Sequence, residues 1–175
     1  MPISRQAGKE PLNNSTISTR PVQQDDAPFL LGLYASTRAE ELALVPWTDE
    51  QRQVFLRMQF AAQQDHYRKQ YPLAIHEIVL VNERPIGQLY VARLEHEMRI
   101  IDLTIMPGQR NGGVGSFLLR RLLDEAALAA RVVRIYVEDF NPSLRLFERL
   151  GFKPVEKEGM HILMEWTAHD GATDE

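Results

Sequence analysis

A glycine-rich segment at residues 107–116, with the sequence PGQRNGGVGS, has the residue types of a phosphate site. It lies between an apolar run from Met98 to Met106, which predicts a strand, and an apolar-periodic run from Phe117 to Ala130, which predicts a helix. The first turn of a helix has backbone N–H groups without intrahelical partners and carries partial positive charge. Glycines let the main chain approach a ligand closely. The segment therefore predicts a site for a phosphate-bearing cofactor.

Spacing excludes the two most familiar phosphate loops. The P-loop pattern G-x-x-x-x-G-K-S/T requires a lysine after its second glycine, and Val114 stands there. The dinucleotide pattern G-x-G-x-x-G requires a third glycine, and Leu118 stands in its place. The pattern that remains is Arg110-x-x-Gly113-x-Gly115.

A second segment, residues 141–152 with the sequence NPSLRLFERLGF, predicts a short helix after the strand Val132–Val137. Asn141 is a good N-cap residue, and Pro142 suits the first helical position. Gly151 is placed to end the helix. A strand-to-helix unit of this kind follows the first one along the chain.

Together the two segments resemble the acyl-CoA-dependent N-acetyltransferases of the GNAT superfamily. Arg110-x-x-Gly113-x-Gly115 is similar to the superfamily signature Q/R-x-x-G-x-G/A, and residues 141–152 resemble its later motif N-x-x-A-x-x-L/F-Y-x-x-x-G-F. The resemblance covers roughly Ile75 to Trp166. It implies an enzyme that moves an acetyl group from the cosubstrate acetyl-CoA to a primary amine of a small molecule or peptide. The amine attacks directly, without a covalent acyl-enzyme.

The resemblance also implies where the cofactor lies. In the superfamily, acyl-CoA occupies an opening between two central strands that splay apart, here Met98–Met106 and Val132–Val137. The main chain of the first strand pairs with the pantetheine arm, and the N–H groups of the turn hold the pyrophosphate. Arg110 is expected to add a charge-assisted contact or to be a solvated surface arginine. The expected cofactor-binding residues are Leu103, Ile105, Arg110, Asn111, Gly112, Gly113, Val114, Gly115, Ser116, Asn141 and Phe147.

Carboxylates near the opening are candidates for the general base. An alkyl ammonium with a pKa of about 10 has no free lone pair, so the acceptor amine must lose a proton before it attacks. Asp102 in the first central strand and Glu138 at the end of the next are the candidates by position, and Glu97 and Glu41 are weaker. An acid within an apolar strand needs a partner or a purpose. Asp102 is therefore expected to be the base, to face solvent, or to pair with an arginine.

One position departs from the superfamily pattern. The later motif usually carries a tyrosine that protonates the leaving thiolate, and Phe147 stands there. Water or another hydroxyl, such as that of Tyr136, Tyr90 or Ser143, is expected to serve instead, or the domain is catalytically weak. The alternative function is a non-catalytic acyl-CoA-binding regulatory module.

The acceptor pocket is expected between the two early helices, with Tyr34, Arg38, Glu41 and Trp47 as its residues. Arg38 suits an acceptor carboxylate, Glu41 suits its ammonium, and Trp47 suits a wall of the pocket. The alternatives are a surface salt bridge between Arg38 and Glu41 and a core position for Trp47.

Composition bounds the partners. The chain of 175 residues has a net charge of −4, so it lacks the basic footprint of a nucleic-acid binder. It has no apolar stretch that could span a membrane and no signal-peptide core, which favours a cytoplasmic protein. It has no cysteine, and its five histidines lack metal-ligand spacing, so no metal is expected. A homodimer remains open.

The predicted order of elements is β-α-α-β-β-β-α-β-α-β-β, the order of the GNAT fold. A right-handed crossover over 98–137 requires parallel pairing, while the early and late hairpins require antiparallel pairing. The predicted fold is therefore α/β (α+β), a mixed, mostly antiparallel twisted sheet with helices on both faces. We expect a single domain at 16–167 between flexible tails at 1–15 and 168–175. The predicted inward stripe of the second helix is Val54, Phe55, Met58, Ala61 and Ala62.

Overall fold

A computed structural model describes residues 16–168. The segments predicted as flexible tails, 1–15 and 168–175, lie outside the described residues except for Ala168. The described elements follow the predicted order. The strands are β1 (Ile17–Pro21), β2 (Ile75–Val81), β3 (Arg84–Arg93), β4 (Glu97–Ile105), β5 (Val132–Glu138), β6 (Lys153–Glu158) and β7 (His161–Trp166). The helices are α1 (Ala27–Ala43), α2 (Asp49–Gln70), α3 (Val114–Leu128) and α4 (Leu144–Arg149).

The strands form one sheet in the order β1-β2-β3-β4-β5-β7-β6. Only β4 and β5 pair in parallel among the described strands, because the chain crosses over through α3 between them. Every other neighbouring pair is antiparallel. The predicted mixed, mostly antiparallel sheet is therefore confirmed.

Local signals place the two early helices. The capping box predicted for α2 is present: Thr48 Oγ1 accepts a hydrogen bond from Gln51 N at 3.2 Å, and Gln51 Oε1 accepts one from Thr48 N at 2.9 Å. Asp26 precedes α1 and accepts two hydrogen bonds from the Arg20 guanidinium of β1, at 2.7 and 2.8 Å. These bonds lower the pKa of Asp26 to about 2 and fix the start of α1 against the sheet.

The main core lies between one face of the sheet, which we call the core face, and the helices α3 and α4. Met98, Ile100, Val133, Leu118 and Leu119 are almost fully buried there. The other face carries Gln88, Tyr90, Asp102 and Thr104, and we call it the site face. Alternation along the strands separates the two sets.

Helices α1 and α2 form a smaller cluster of their own around Tyr34, Leu42 and Leu56. The predicted inward stripe of α2 is wrong at four of its five positions, since Val54 (54%), Met58 (65%), Ala61 and Ala62 are exposed and only Phe55 is partly buried. The reason is that α2 packs on α1 through the face that carries Leu56. The adjacent face of α2 therefore points to solvent. No helix within residues 16–168 has both the length and the apolar character needed to cross a membrane.

Candidate active site

An opening forms where β4 and β5 stop pairing. Their parallel ladder runs from Glu97 and Val132 to Ile100 and Ile135 and goes no further. At the same point Ile101 is an extra residue opposite β3, since the register of the β3–β4 ladder shifts there. A bulge bends a strand and re-aims its side chains. Beyond it β4 stays paired with β3, and its edge toward β5 is open, as the resemblance implied.

The turn before α3 supplies a row of free backbone donors. Among the described residues, no acceptor takes a hydrogen bond from the N–H groups of 111–116; the next N–H, that of Phe117, donates to the Gly113 carbonyl at 3.0 Å. Gly113 has φ of +87°, a left-handed conformation that favours glycine. A Cβ built there would have no atom within 4 Å. Open space in front of unpaired amides at a helix N-terminus fits a diphosphate.

Three of the predicted cofactor residues around this turn have contacts within the protein, each of a different kind. The Val114 side chain is 2% exposed and belongs to the core, so only its amide faces the turn. A Cβ on Gly115 would lie 3.6 Å from the side chain of Leu146, so this glycine lets α3 approach α4 closely. Arg110 Nε donates to the Ile105 carbonyl at 2.9 Å, which ties the turn to the end of β4. Contacts of these residues with a cofactor stay predictions.

The described contacts of the later motif, residues 141–152, shape α4 and its packing in the core. Asn141 Oδ1 accepts a hydrogen bond from Ser143 N at 2.9 Å, and α4 begins after Ser143. The predicted N-cap at Asn141 is therefore wrong by two residues, because its side chain forms a turn before the helix. Phe147 is 3% exposed, and its ring packs edge-on against Phe152 at 5.3 Å. Gly151, with φ of +94°, lies just past the end of α4, as predicted.

Asp102 lies on the site face just past the bulge. Its Oδ2 accepts a hydrogen bond from Gln88 Nε2 at 3.0 Å, and its Oδ1 accepts one from Thr104 Oγ1 at 2.6 Å. Burial raises the pKa of Asp102 to about 6, against the opposing effect of the Thr104 hydroxyl. The expectation of an arginine partner is wrong for the described residues, since an amide and a hydroxyl take that place. A carboxyl group with this pKa can accept a proton near neutral pH.

The comparisons with known proteins agree with this geometry. Residues 34–152 match the family model described as the acetyltransferase (GNAT) family. The chain belongs to this family. The predicted family and the predicted class, an acyl-CoA-dependent acetyltransferase, are therefore confirmed. Among curated proteins, none matches the chain.

Solved structures of other acetyltransferases share the fold at low identity. The PaiA N-acetyltransferase of Thermoplasma acidophilum, in complex with coenzyme A, has a TM-score of 0.66 and 17% identity, over 87% of this chain and 99% of its own. The yncA protein of Salmonella typhimurium, solved with acetyl-CoA, has a TM-score of 0.56 and 21% identity, over 91% of this chain and 98% of its own. A Corynebacterium glutamicum structure described as histone acetyltransferase HPA2 and related acetyltransferase has a TM-score of 0.61 and 20% identity, over 90% and 99%.

The remaining catalytic candidates of this acetyltransferase lie on neighbouring strands. Tyr136 on β5 is 45% exposed, and the Arg99 guanidinium lies 5.3 Å from its ring centroid. Glu138 ends β5, opposite His161 of β7. Glu97, a weaker candidate, has both oxygens engaged, since they accept hydrogen bonds from Arg99 and Arg134.

The acceptor candidates of the acetyltransferase divide along α1 and α2. The Arg38 guanidinium lies 5.6 Å from the Tyr34 ring centroid, and its Nη1 is 3.4 Å from each Glu41 carboxylate oxygen. The alternative of a salt bridge between Arg38 and Glu41 is thus observed. Burial raises the pKa of the Tyr67 hydroxyl; Asp102 raises it further, whereas Arg38 opposes the rise, so both groups lie close enough to act on Tyr67.

Trp47 lies at the opposite end of α2 from Tyr67. Its ring packs edge-on against Phe55 at 5.1 Å and is 37% exposed. At 1.5 Å per residue, the helix separates Trp47 from Tyr67 by roughly 30 Å. The predicted role of Trp47 as a wall of the acceptor pocket stays a prediction.

Sequence reasoning missed four polar residues around Asp102: His76, Gln88, Thr104 and Tyr67. A signal was present in β3, where Gln88 and Tyr90 interrupt an apolar run at the spacing of one strand face. Their meeting with Asp102 depends on cross-strand register, which a single sequence does not reveal.

Proposed function

We propose that this acetyltransferase moves the acetyl group of acetyl-CoA to a primary amine by direct attack, with Asp102 as the general base. The observation that carries the proposal is the position of Asp102. A proton acceptor with a pKa of about 6 lies just past the point where β4 and β5 stop pairing. The turn that follows β4 carries six backbone amides with no acceptor among the described residues. Both halves of the reaction, cosubstrate binding and amine deprotonation, have groups suited to them.

The backbone is proposed to hold acetyl-CoA. The amides of 111–116 would bind the pyrophosphate, and the open edge of β4 at Leu103 to Ile105 would pair with the pantetheine amides. A backbone N–H on this edge would also stabilise the negative charge that develops on the thioester oxygen. When bound, acetyl-CoA supplies an activated acyl carbon.

Asp102 accepts the proton that the amine loses in the transfer step. The neutral amine nitrogen attacks the thioester carbonyl carbon, the C–N bond forms, and the C–S bond breaks with its electron pair on sulfur. The proton of the amine passes to the Asp102 carboxylate directly or through one water. At pH 7 a group with a pKa of about 6 is mostly ionised and can accept this proton. The chain has no cysteine, so a cysteine acyl-enzyme is excluded.

Tyr136 is proposed as the acid for the leaving thiolate, because Phe147 has no hydroxyl and is buried in the core. Tyr136 is exposed on β5, the strand across the opening from Asp102. Tyr136→Phe is expected to lower kcat by about 10-fold to 100-fold with little change in KM for acetyl-CoA. Steady-state kinetics measure both values. An unchanged kcat would instead assign the proton to water.

The experiment that tests the function measures CoA release with a thiol reagent while a panel of amines is supplied. Small amines, amino acids and peptides with free N-termini or lysines form the panel. Turnover above the rate of hydrolysis is expected for at least one class. Tight acetyl-CoA binding by calorimetry without turnover for any amine would favour the alternative, a regulatory acyl-CoA-binding module. The buried Phe147 at the usual tyrosine position is the observation behind that alternative.

A further inference from the structure

A chain of hydrogen bonds crosses three strands and ends at Asp102. His76 Nε2 of β2 lies 2.7 Å from Gln88 Oε1 of β3, and Gln88 Nε2 lies 3.0 Å from Asp102 Oδ2 of β4. Gln88 is 4% exposed. A buried amide needs partners for both of its ends, and here each end has one.

The chemistry of the acceptor sets the direction of these bonds. An ionised carboxylate only accepts hydrogen bonds, so Gln88 presents its NH₂ group to Asp102. Its carbonyl oxygen therefore faces His76, and the His76 ring must donate from Nε2. Stacking holds the ring plane, because His76 lies 4.4 Å from Tyr90 between centroids at an angle of 11°. Tyr90 is in turn packed edge-on by Tyr67 of α2 at 5.6 Å.

We propose that Gln88 and His76 are positioning residues that hold the Asp102 carboxylate toward the opening and favour its ionised form. This inference rests on the proposed function, because it requires Asp102 to be the base. Gln88 acts on Asp102 directly, through a hydrogen bond to the charged form, and His76 acts through Gln88 by fixing which way the amide points.

The physical effect opposes the burial of the carboxylate. Burial raises the pKa of Asp102, and a donor to the ionised form lowers it. Thr104 is one such donor and Gln88 is a second. Other ionisable groups lie close enough to influence Asp102, His76, Tyr90 or the Tyr67 ring that packs on Tyr90, and the test leaves all of them in place. They are Asp26 before α1, Tyr34 and Arg38 of α1, Tyr67 and Arg68 of α2, and Tyr71 after it.

The first test replaces the amide of Gln88 by a carboxyl group of the same shape. Gln88→Glu can still accept the His76 hydrogen bond, but it places a second acid beside Asp102. A carboxylate at residue 88 disfavours ionisation of Asp102, because like charges repel. The acidic limb of the profile of kcat/KM against pH is therefore expected to move up by about one pH unit or more. The Kd for CoA is expected to stay within about twofold, since no contact with the amides of 111–116 changes. Gln59→Glu, on the exposed face of α2, is the matched control and should leave the limb in place.

The second test removes only the outer residue of the chain. His76→Phe keeps a ring to stack on Tyr90 but has no N–H for Gln88. Its acidic limb is expected to move in the same direction by a smaller amount, about half a pH unit. His76→Gln, whose NH₂ group can donate, should return the limb toward the wild-type position. If Gln88→Glu does not fold, as judged by loss of CoA binding, the comparison of His76→Phe with His76→Gln tests the proposal.

A third readout does not depend on activity. Nitrogen-15 spectra of the imidazole rings report which nitrogen carries the proton, and His76 is expected as the Nε2–H tautomer at pH 7 to 8. An Nδ1–H tautomer would overturn the proposal.

The outcomes separate this proposal from the one on which it rests. An unmoved acidic limb in both Gln88→Glu and His76→Phe, with an inactive Asp102→Asn, would overturn the positioning roles and leave Asp102 as the base. An active Asp102→Asn would overturn both proposals.

Discussion

Asp102→Asn is expected to lower kcat/KM by about 10²-fold to 10⁴-fold, the usual contribution of a general base. Asparagine keeps the size of the side chain and can still accept a hydrogen bond from Gln88 or Thr104, but it cannot take a proton from the amine. The Kd for CoA should not change, because the substitution leaves the amides of 111–116 unaltered. Steady-state kinetics and calorimetry measure the two effects. Asp124→Asn, on the exposed face of α3, is the control.

The same variant is expected to be more stable than the wild type at neutral pH. The pKa of Asp102 is about 6 in the folded protein and 3.8 without its surroundings. Between these values the folded state holds more protons than the unfolded state, so stability falls as pH rises through this window. The ionised carboxylate costs up to about 3 kcal/mol above it. Thermal unfolding should give Asp102→Asn the higher Tm at pH 7.5, with a smaller difference at pH 4.

Loss of activity together with a gain in stability would identify a group kept for chemistry, since a structural residue would lose stability when replaced. Full activity in Asp102→Asn would contradict its role as base and direct attention to Glu138, the other carboxylate near the opening.

Gly113→Asp is expected to raise the Kd for CoA by about 100-fold or more. The new carboxylate would enter the open space before α3, where it repels a diphosphate and competes for the amides of 111–116. Losing two hydrogen bonds from amides to charged oxygens corresponds to at least this change in affinity. Calorimetry with CoA measures it.

Two controls separate charge from backbone strain. Gly113→Asn has nearly the same shape, tolerates the positive φ of this position and carries no charge, so it should weaken binding less than Gly113→Asp. Gly159→Asp, in the turn between β6 and β7, has a comparable positive φ and no atom within 4 Å of its Cβ position. It should show a similar loss of stability and no loss of CoA binding. Equal Kd values for wild type and Gly113→Asp would contradict a diphosphate site at this turn.

The local parts of the fold were predictable because neighbouring residues produce them. The capping box joins Thr48 and Gln51, which are three residues apart. The glycine at the start of α3 is likewise a local feature of the sequence. The order of elements follows from apolar periodicity and from breakers such as Pro46 and Pro72. The two motifs then indicated the family, which the match over 34–152 confirmed.

Orientation was less predictable, because it depends on packing. The apolar positions of α2 occupy more of its surface than one neighbour can bury, so periodicity could not say that Leu56 would face α1 while Val54 and Met58 would face outward. The helix start at α4 shifted by two residues for a related reason. The Asn141 side chain had two local partners to choose from, the helix end or a preceding turn, and it forms the turn.

By itself the sequence determined the order of strands and helices, the amide-rich turn at 111–116 and the presence of an acid within β4. Only the tertiary structure decided what surrounds that acid. The bulge at Ile101 and the register of β2, β3 and β4 bring His76 and Gln88 into line with Asp102, although 26 and 14 residues separate them from it. Register and burial arise from contacts between distant segments, and these contacts raise the pKa of Asp102 toward neutrality.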